Sequence, residues 1–511
     1  MPLEFPADLL TPLHLELGLQ KWIQSFHRAI PILGKTLLRP LLPDAAAKHF
    51  KDLRELSVKL NAVKLKTEDL LCESQNLPSL DVVFNALRNQ SMEQVDYHRL
   101  GAYLSHELRL LQWEKKLAEN DQSTNLVEHL LAILDQFLED NFGALRLSAQ
   151  LLKKQQLLLR QREEIGLKIE DLEEKILKAT NLGIRYGYPR HFNLTDETML
   201  KSLEKLAFID LNQEGGKWVA CLKLTPELLN LEDEIQKLEQ SLGFELNQLL
   251  GKLNQKVELF LQALEGLYQQ RRQKTLSYLL LATSERLNLT IPRLCEEKKM
   301  CLVDGRLPIT EEYTREYVPL NLELHAGANL LVGANMSGKT TILKTIFFMA
   351  TLVQFGLPVP AQDLEMHFPN AIFCHLPGTG DIRKNLSAFG AELEFWTTPF
   401  PANTFILIDE MFHSTDPISG VFFTRVFTEE CQVQNQFLLA TTHFNEVLNL
   451  KNTVFFRMLS NGKAERFEPS RDPLKGLDTQ ALESALNFSL PTSVKNKIRK
   501  RLKSLKLEAE D

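Results

Sequence analysis

The run Gly333-Ala334-Asn335-Met336-Ser337-Gly338-Lys339-Thr340 leaves the chain around it little conformational choice. It fits the pattern of a glycine, four residues, then glycine, lysine and threonine, in which the glycines let backbone N–H groups curl around phosphate oxygens at a helix N-terminus. The flanks suit that geometry. Ala328-Asn-Leu-Leu-Val332 is a short apolar run that reads as a strand, and Thr341-Ile-Leu-Lys-Thr-Ile-Phe-Phe348 opens a helix. Strand, glycine loop and helix in that order predict a P-loop in a parallel α/β domain. Gly333, Asn335, Met336, Ser337, Gly338, Lys339, Thr340 and Thr341 then surround the phosphates of ATP. Lys339 neutralises the β- and γ-phosphates, and Thr340 places its hydroxyl on Mg²⁺.

Two more apolar runs end in reactive side chains. Phe405-Ile-Leu-Ile408 leads into Asp409 and Glu410, the layout of a buried strand that brings one carboxylate to the Mg²⁺ shell. The next carboxylate, Glu410, is placed to polarise a water in line with the γ-phosphate, as a general base does. Gln436-Phe-Leu-Leu-Ala-Thr-Thr442 ends at His443, which reads as a γ-phosphate sensor if its strand neighbours that of Asp409. Taken singly, paired acids after a strand also cap helices, and a lone histidine is usually packed. The order of the three parts is that of ABC-type ATPases. Lys339, Glu410 and His443 are therefore the catalytic candidates, with Thr340 and Asp409 as the metal site.

Upstream of residue 300 the texture is helical, with few glycines or prolines and apolar residues recurring at three and four. Ile165, Ile169, Leu172 and Ile176 share the 4-3-4 spacing of Leu231, Ile235, Leu238 and Leu242, which suits two helices packed along one stripe, as in a coiled coil. Between them, Leu206–Leu211 and Trp218–Leu224 flank Asn212–Lys217 with its Gly-Gly pair, a β-hairpin signal. The resulting division is a helical core over 1–160, long helical arms with a β-hairpin tip over 161–260, and a helical return over 261–300. An ATPase domain follows over 301–470, and then a C-terminal helical dimerisation segment over 471–511, with Lys495, Lys497, Arg499, Lys500, Arg501 and Lys503. The expected fold class is multi-domain, mainly α-helical at the N-terminal side and α/β after it.

A length of 511 residues calls for two to four domains, and 44% hydrophobic with 24% charged residues is the composition of a chain with real cores. No uninterrupted apolar stretch approaches the ~18 residues of a membrane span, and the N-terminus has no signal-peptide pattern. A cytoplasmic protein is expected. The six cysteines are scattered without the paired spacing that zinc or redox chemistry needs. A net charge of −7 makes no general demand for nucleic acid, so any DNA contact must come from a local surface.

The motifs resemble those of the MutS mismatch-repair family. The Asn335-Met336 pair inside the loop is similar to that family's GPNMSGKST. Asp409–Gly420 resembles its DExGRGTSTYDG, Ala440–Phe444 its ATHF, Asp304–Pro308 its DGRHP, and Leu486–Pro491 its LAGLP, together covering roughly 300–495. The resemblance implies a homodimer in which each domain offers a serine to its partner's γ-phosphate. Ser387 matches that serine, acting in trans, and Tyr317 resembles the aromatic that stacks on adenine. It also implies DNA, mismatched or branched, held by the helical arms.

Departures bear on this. His413 stands where the family has arginine, Phe412 and Ser414 where it has glycines, Leu386 where it has the arginine before the serine, and Leu307 where it has histidine. The first hundred residues hold no Phe-x-Glu, so a short member without the mismatch-reading domain is expected. Between residues 181 and 224 six Lys/Arg stand against five Asp/Glu. That balance keeps open an alternative, a nucleotide-switched ATPase whose arms bind a protein partner.

Overall fold

A computed structural model of the chain describes residues 3–4, 17, 19, 22, 26, 30–33, 36–37, 39–117, 123–139, 142, 144–192, 197–214, 217–308, 318–333, 337–376, 388–459, 463–467 and 499. The chain forms two compact units, one of 1–79, 112–120 and 269–511, the other of 80–111 and 121–268. Both helix and sheet contribute, the sheets numbering several.

The second unit is dominated by helix α1, Ala149–Thr180, and helix α2, Pro226–Glu258. Their ends are specified locally. The Ser148 hydroxyl accepts from Leu151 N–H at the start of α1, and Asn181 closes it in a left-handed conformation, φ 53°. Thr225 caps α2 in the same way, with Pro226 at the first helical position. The helices run antiparallel, because Lys154 meets Glu245 at 2.5 Å and Gln161 meets Glu234 at 2.9 Å, while Arg162 pairs with Glu239. Such half-exposed pairs contribute at most about 1 kcal/mol each, so they set register more than stability.

Between the two helices lies an antiparallel sheet of β1, Arg190–Phe192, β2, Ile209–Glu214, and β3, Lys217–Leu222, in the order β1-β3-β2. The hairpin β2–β3 lies at the predicted place. Asn212–Glu214, read as turn, instead extend β2 through pairing with Lys217–Val219. Strand β1 and the helix Glu197–Glu204 carried no sequence signal. Leu172 and Ile176 of α1, Leu228 of α2, Leu203, Ala220 and Leu222 share one small core.

Besides a two-stranded parallel pairing of Leu3–Glu4 with Thr36–Leu37, the first unit contains two larger sheets. One has four strands, β4 (Arg293–Leu294), β5 (Lys299–Gly305), β6 (Leu320–His325) and, later in the chain, β8 (Asp363–Met366), in the order β6-β5-β8-β4. The other is built on β7 (Gly327–Val332), with β9 (Ala371–His375), β10 (Thr404–Ile408), β11 (Phe437–Thr442), β12 (Thr453–Met458) and β13 (Ala464–Phe467). Its order is β9-β10-β11-β7-β12-β13, parallel except for the last pair.

Every residue of β7, β10 and β11 is buried, the pattern of strands covered on both faces. Helix α3, Lys339–Gln354, packs on β9, β10 and β11. Helices α4, Ala388–Trp396, and α5, Pro417–Val433, bring Phe389, Phe423 and Phe427 against the layer formed by Leu330, Ile406 and Leu438. Among the described residues no helix is long and apolar enough to cross a membrane.

Candidate functional site

Because β7, β10 and β11 are parallel and adjacent, their carboxyl ends gather the polar residues that the sequence singles out. Ligands of open α/β sheets bind at such ends. Gly338, at φ 97°, opens α3 in a backbone region that side chains rarely enter, and Lys339 begins the helix almost wholly buried. Its Nζ donates to the Gly333 carbonyl at 2.7 Å. Burial holds the Lys339 amine below its ordinary pKa, against the opposing pull of the Asp409 and Glu410 carboxylates.

Thr340 Oγ1 donates to Asp409 Oδ2 at 2.5 Å, and the other oxygen, Oδ1, accepts from Thr441 Oγ1 at 2.6 Å. Asp409 is therefore held from both sides, one partner on α3 and the other on β11. Thr441 Oγ1 also accepts from Glu410 N–H at 2.7 Å, while Met411 N–H donates to the Thr441 carbonyl at 2.9 Å. Glu410 takes a left-handed backbone, φ 55°, which turns its carboxylate to within 3.7 Å of His443 Nε2. Burial, then the Lys339 charge, lowers the His443 pKa, with Glu410 opposing.

The turn continues through Phe412, also left-handed at φ 51°. A side chain there costs about 1–2 kcal/mol relative to glycine. Phe412 offsets the cost by full burial against Phe423 and Phe427, with ring centroids at 5.3 and 5.4 Å, burial of the kind worth about 1.5–3 kcal/mol. Its carbonyl lies 2.8 Å from where a Cβ on Gly420 would stand, so α5 approaches this turn only because residue 420 is glycine.

Phe412 N–H donates to Glu392 Oε1 at 2.7 Å. Burial pushes the Glu392 carboxyl up to about 7, although that hydrogen bond opposes the shift. His413 continues the turn with its ring 5.6 Å from that of His443. Upstream, Leu307 is buried, so the side chain in the histidine position of the Asp304–Pro308 segment serves packing.

Gly333, Ser337, Gly338, Lys339, Thr340, Thr341, Asp409, Glu410 and His443 thus lie at or beside neighbouring strand ends. Asn335, Met336, Tyr317, Ser387, Leu486–Pro491 and the basic tail segment other than Arg499 lie outside the described residues. Sequence reasoning missed Thr441 and Glu392. The first sits in the strand end Ala440–Phe444 and the second lies five residues after Ser387 in the sequence, but neither spacing reveals which backbone N–H a side chain will meet.

The site fits a phosphate-bearing ligand with a hard cation. Ser337 Oγ and His443 Nε2 are buried without a hydrogen-bond partner among the described residues. Among the described residues no group of three His, Cys, Asp or Glu could hold a metal unaided. Thr340 and Asp409 offer a sparse oxygen set that would suit Mg²⁺ if phosphates completed its shell.

Fold and site define a class: a parallel α/β domain with a glycine loop and a hydroxyl–carboxylate pair at its strand ends. The family model for MutS domain V matches residues 329–468. DNA mismatch repair protein MutS of Thermotoga neapolitana is 24% identical over 447 residues, 83% of this chain and 53% of that protein. The MutS of Halalkalibacterium halodurans is 24% identical over 295 residues, 55% of this chain and 34% of its own length. Endonuclease MutS2 of Clostridium botulinum is 24% identical over 255 residues, 48% of this chain and 32% of that protein. Residues 329–468 thus match MutS domain V, and similarity to MutS proteins extends over much of the chain. The chain spans about half or less of the length of these relatives.

Proposed function

We propose that the chain is a cytoplasmic ATPase that dimerises around ATP and holds mismatched or branched DNA with its helical arms. The observation that carries the hydrolytic reading is the Thr340–Asp409 contact at 2.5 Å beside the 3.7 Å approach of Glu410 to His443. Thr340 and Asp409 would hold Mg²⁺, which would supply positive charge to offset that of the phosphates, and Lys339 would neutralise the β- and γ-phosphates. Glu410 takes the proton of the attacking water as general base, its direction set by the left-handed backbone and by Thr441. His443, whose pKa burial holds down and whose Nε2 has no hydrogen-bond partner among the described residues, offers a hydrogen bond to the γ-phosphate. Ser387 acting in trans and Tyr317 on adenine are carried over from the family resemblance. The relatives named mismatch repair proteins support the DNA part.

A local surface of the second unit supports it too. Arg185-Tyr186-Gly187-Tyr188-Pro189-Arg190-His191 is exposed at every residue and contains no acid. Two arginines suit phosphates, and two exposed tyrosines suit bases. The second reading, a protein partner for the arms, is favoured by the carboxylates at the base of this run. Glu173 accepts from Tyr186 N–H at 2.8 Å, and Glu232 lies 3.3 Å from the Tyr186 hydroxyl.

ATP turnover measured with and without duplex, mismatched and branched DNA, at low and moderate salt, tests both readings against a Lys339→Ala blank. One DNA form is expected to change turnover, and moderate salt to remove the change. Turnover that depends on Lys339 but ignores every DNA moves the assignment to a protein partner.

A further inference from the structure

We infer that Glu392 is a positioning residue for Glu410, acting through the backbone of the turn between Asp409 and His413; this rests on the hydrolytic role proposed for Glu410. Glu392 is 3% exposed, and it sits in an aromatic layer that includes Phe389 and Phe412. A carboxylate in such surroundings is costly to keep and would be replaced by an apolar side chain if packing were its only duty. What it does there is accept the N–H of Phe412 at 2.7 Å in a buried hydrogen bond.

That bond holds the far side of a turn in which both Glu410, φ 55°, and Phe412, φ 51°, are left-handed. Two such non-glycine residues in three positions persist only where their surroundings hold them. The near side is pinned by Thr441, which takes Glu410 N–H at its hydroxyl and Met411 N–H at its carbonyl. His413 N–H closes the turn on the Glu410 carbonyl at 3.0 Å. Consecutive amides 410, 411 and 412 are thus each held from outside the turn, the last, among the described residues, by Glu392. Without that acceptor, Phe412 N–H is left unpaired in an apolar layer, the left-handed pair relaxes, and the Glu410 carboxylate loses its aim.

The test compares steady-state ATP turnover in Glu392→Ala, Glu392→Gln and, as a control on the exposed face of α4, Glu394→Ala. Hydrogen exchange at the Phe412 amide is followed in each. Glu392→Ala is expected to lower kcat about tenfold or more, with KM for ATP within about threefold, and to speed exchange at Phe412. Glu392→Gln keeps an oxygen acceptor, so it is expected to stay within about threefold of wild type in kcat and to keep the amide protected. An unchanged kcat in Glu392→Ala, or a Gln variant as impaired as the Ala variant while its Phe412 amide stays protected, overturns the inference. If Glu392→Ala does not fold, the Gln variant and its exchange profile decide the matter alone. A wild-type chain with no Lys339-dependent turnover overturns the hydrolytic reading itself, and this inference with it.

Discussion

Thr441→Val exchanges one hydroxyl for a methyl and keeps the branched shape. Thr441 is 0% exposed, donates to Asp409 Oδ1 at 2.6 Å and accepts from Glu410 N–H at 2.7 Å. Valine leaves both groups facing a methyl. A buried polar group stripped of its partner costs about 1–3 kcal/mol, nearer the top of that range when charged. The added apolar surface returns less than about 1 kcal/mol. The net loss, with one charged and one neutral group stripped, is about 3–5 kcal/mol. Thr441→Ser keeps the hydroxyl and loses one methyl, worth about 1 kcal/mol. Stability is therefore expected to fall in the order wild type, serine, valine, the reverse of what side-chain hydrophobicity alone would give for the two variants. Urea unfolding followed by tryptophan fluorescence, extrapolated linearly to water, measures the differences. A valine variant at least as stable as the serine variant would refute the assignment of Thr441 as the shared anchor of Asp409 and Glu410.

Two further outcomes follow from other parts of the chain. Glu114, 2% exposed, receives Arg271, Lys274 at 2.9 Å and the Tyr278 hydroxyl at 2.6 Å; burial raises its pKa, but Arg271 above all outweighs that and leaves it below the ordinary 4.5. Its contribution is present above the unfolded-state pKa and lost as pH falls through the lower folded value, so Arg271→Met is expected to cost about 3–5 kcal/mol at pH 7 and to flatten the loss of stability below pH ~4.5 in acid titration. On the second unit, Arg185→Glu combined with Arg190→Glu is expected to weaken DNA binding and reduce the dependence of log K on log salt by about 1 for each phosphate that is no longer neutralised; an unchanged slope removes this run from the DNA surface.

How much of this was readable beforehand divides by the range of the interactions. Strands β7, β10 and β11 were legible because they are buried on both faces and so appear as largely apolar runs, leading into Gly333, Asp409 and His443. The glycine loop was legible because Gly338 needs a positive φ. Strand β1 was not, since Arg190-His191-Phe192 has no alternation and exists through pairing with Val219 and its neighbours. Asn212–Glu214 read as turn for the same reason, their strand state coming from the partner strand. Phe412 in a glycine position looked like a departure from the family pattern; its left-handed backbone is stabilised by aromatic neighbours from α4 and α5, a tertiary effect that local sequence does not carry. Glu392 is hidden likewise, because a carboxylate on a helix is ordinary until the amide it accepts is seen.

Glu410→Gln is the most direct probe of the central claim, read by ATP retention, single-turnover hydrolysis and sedimentation with ATP and Mg²⁺. The variant is expected to bind ATP, to hydrolyse it at least about a hundredfold more slowly than wild type, and to sediment as a dimer while nucleotide is bound. Hydrolysis at the wild-type rate would contradict the role of Glu410, and a monomer with ATP bound would contradict the paired site.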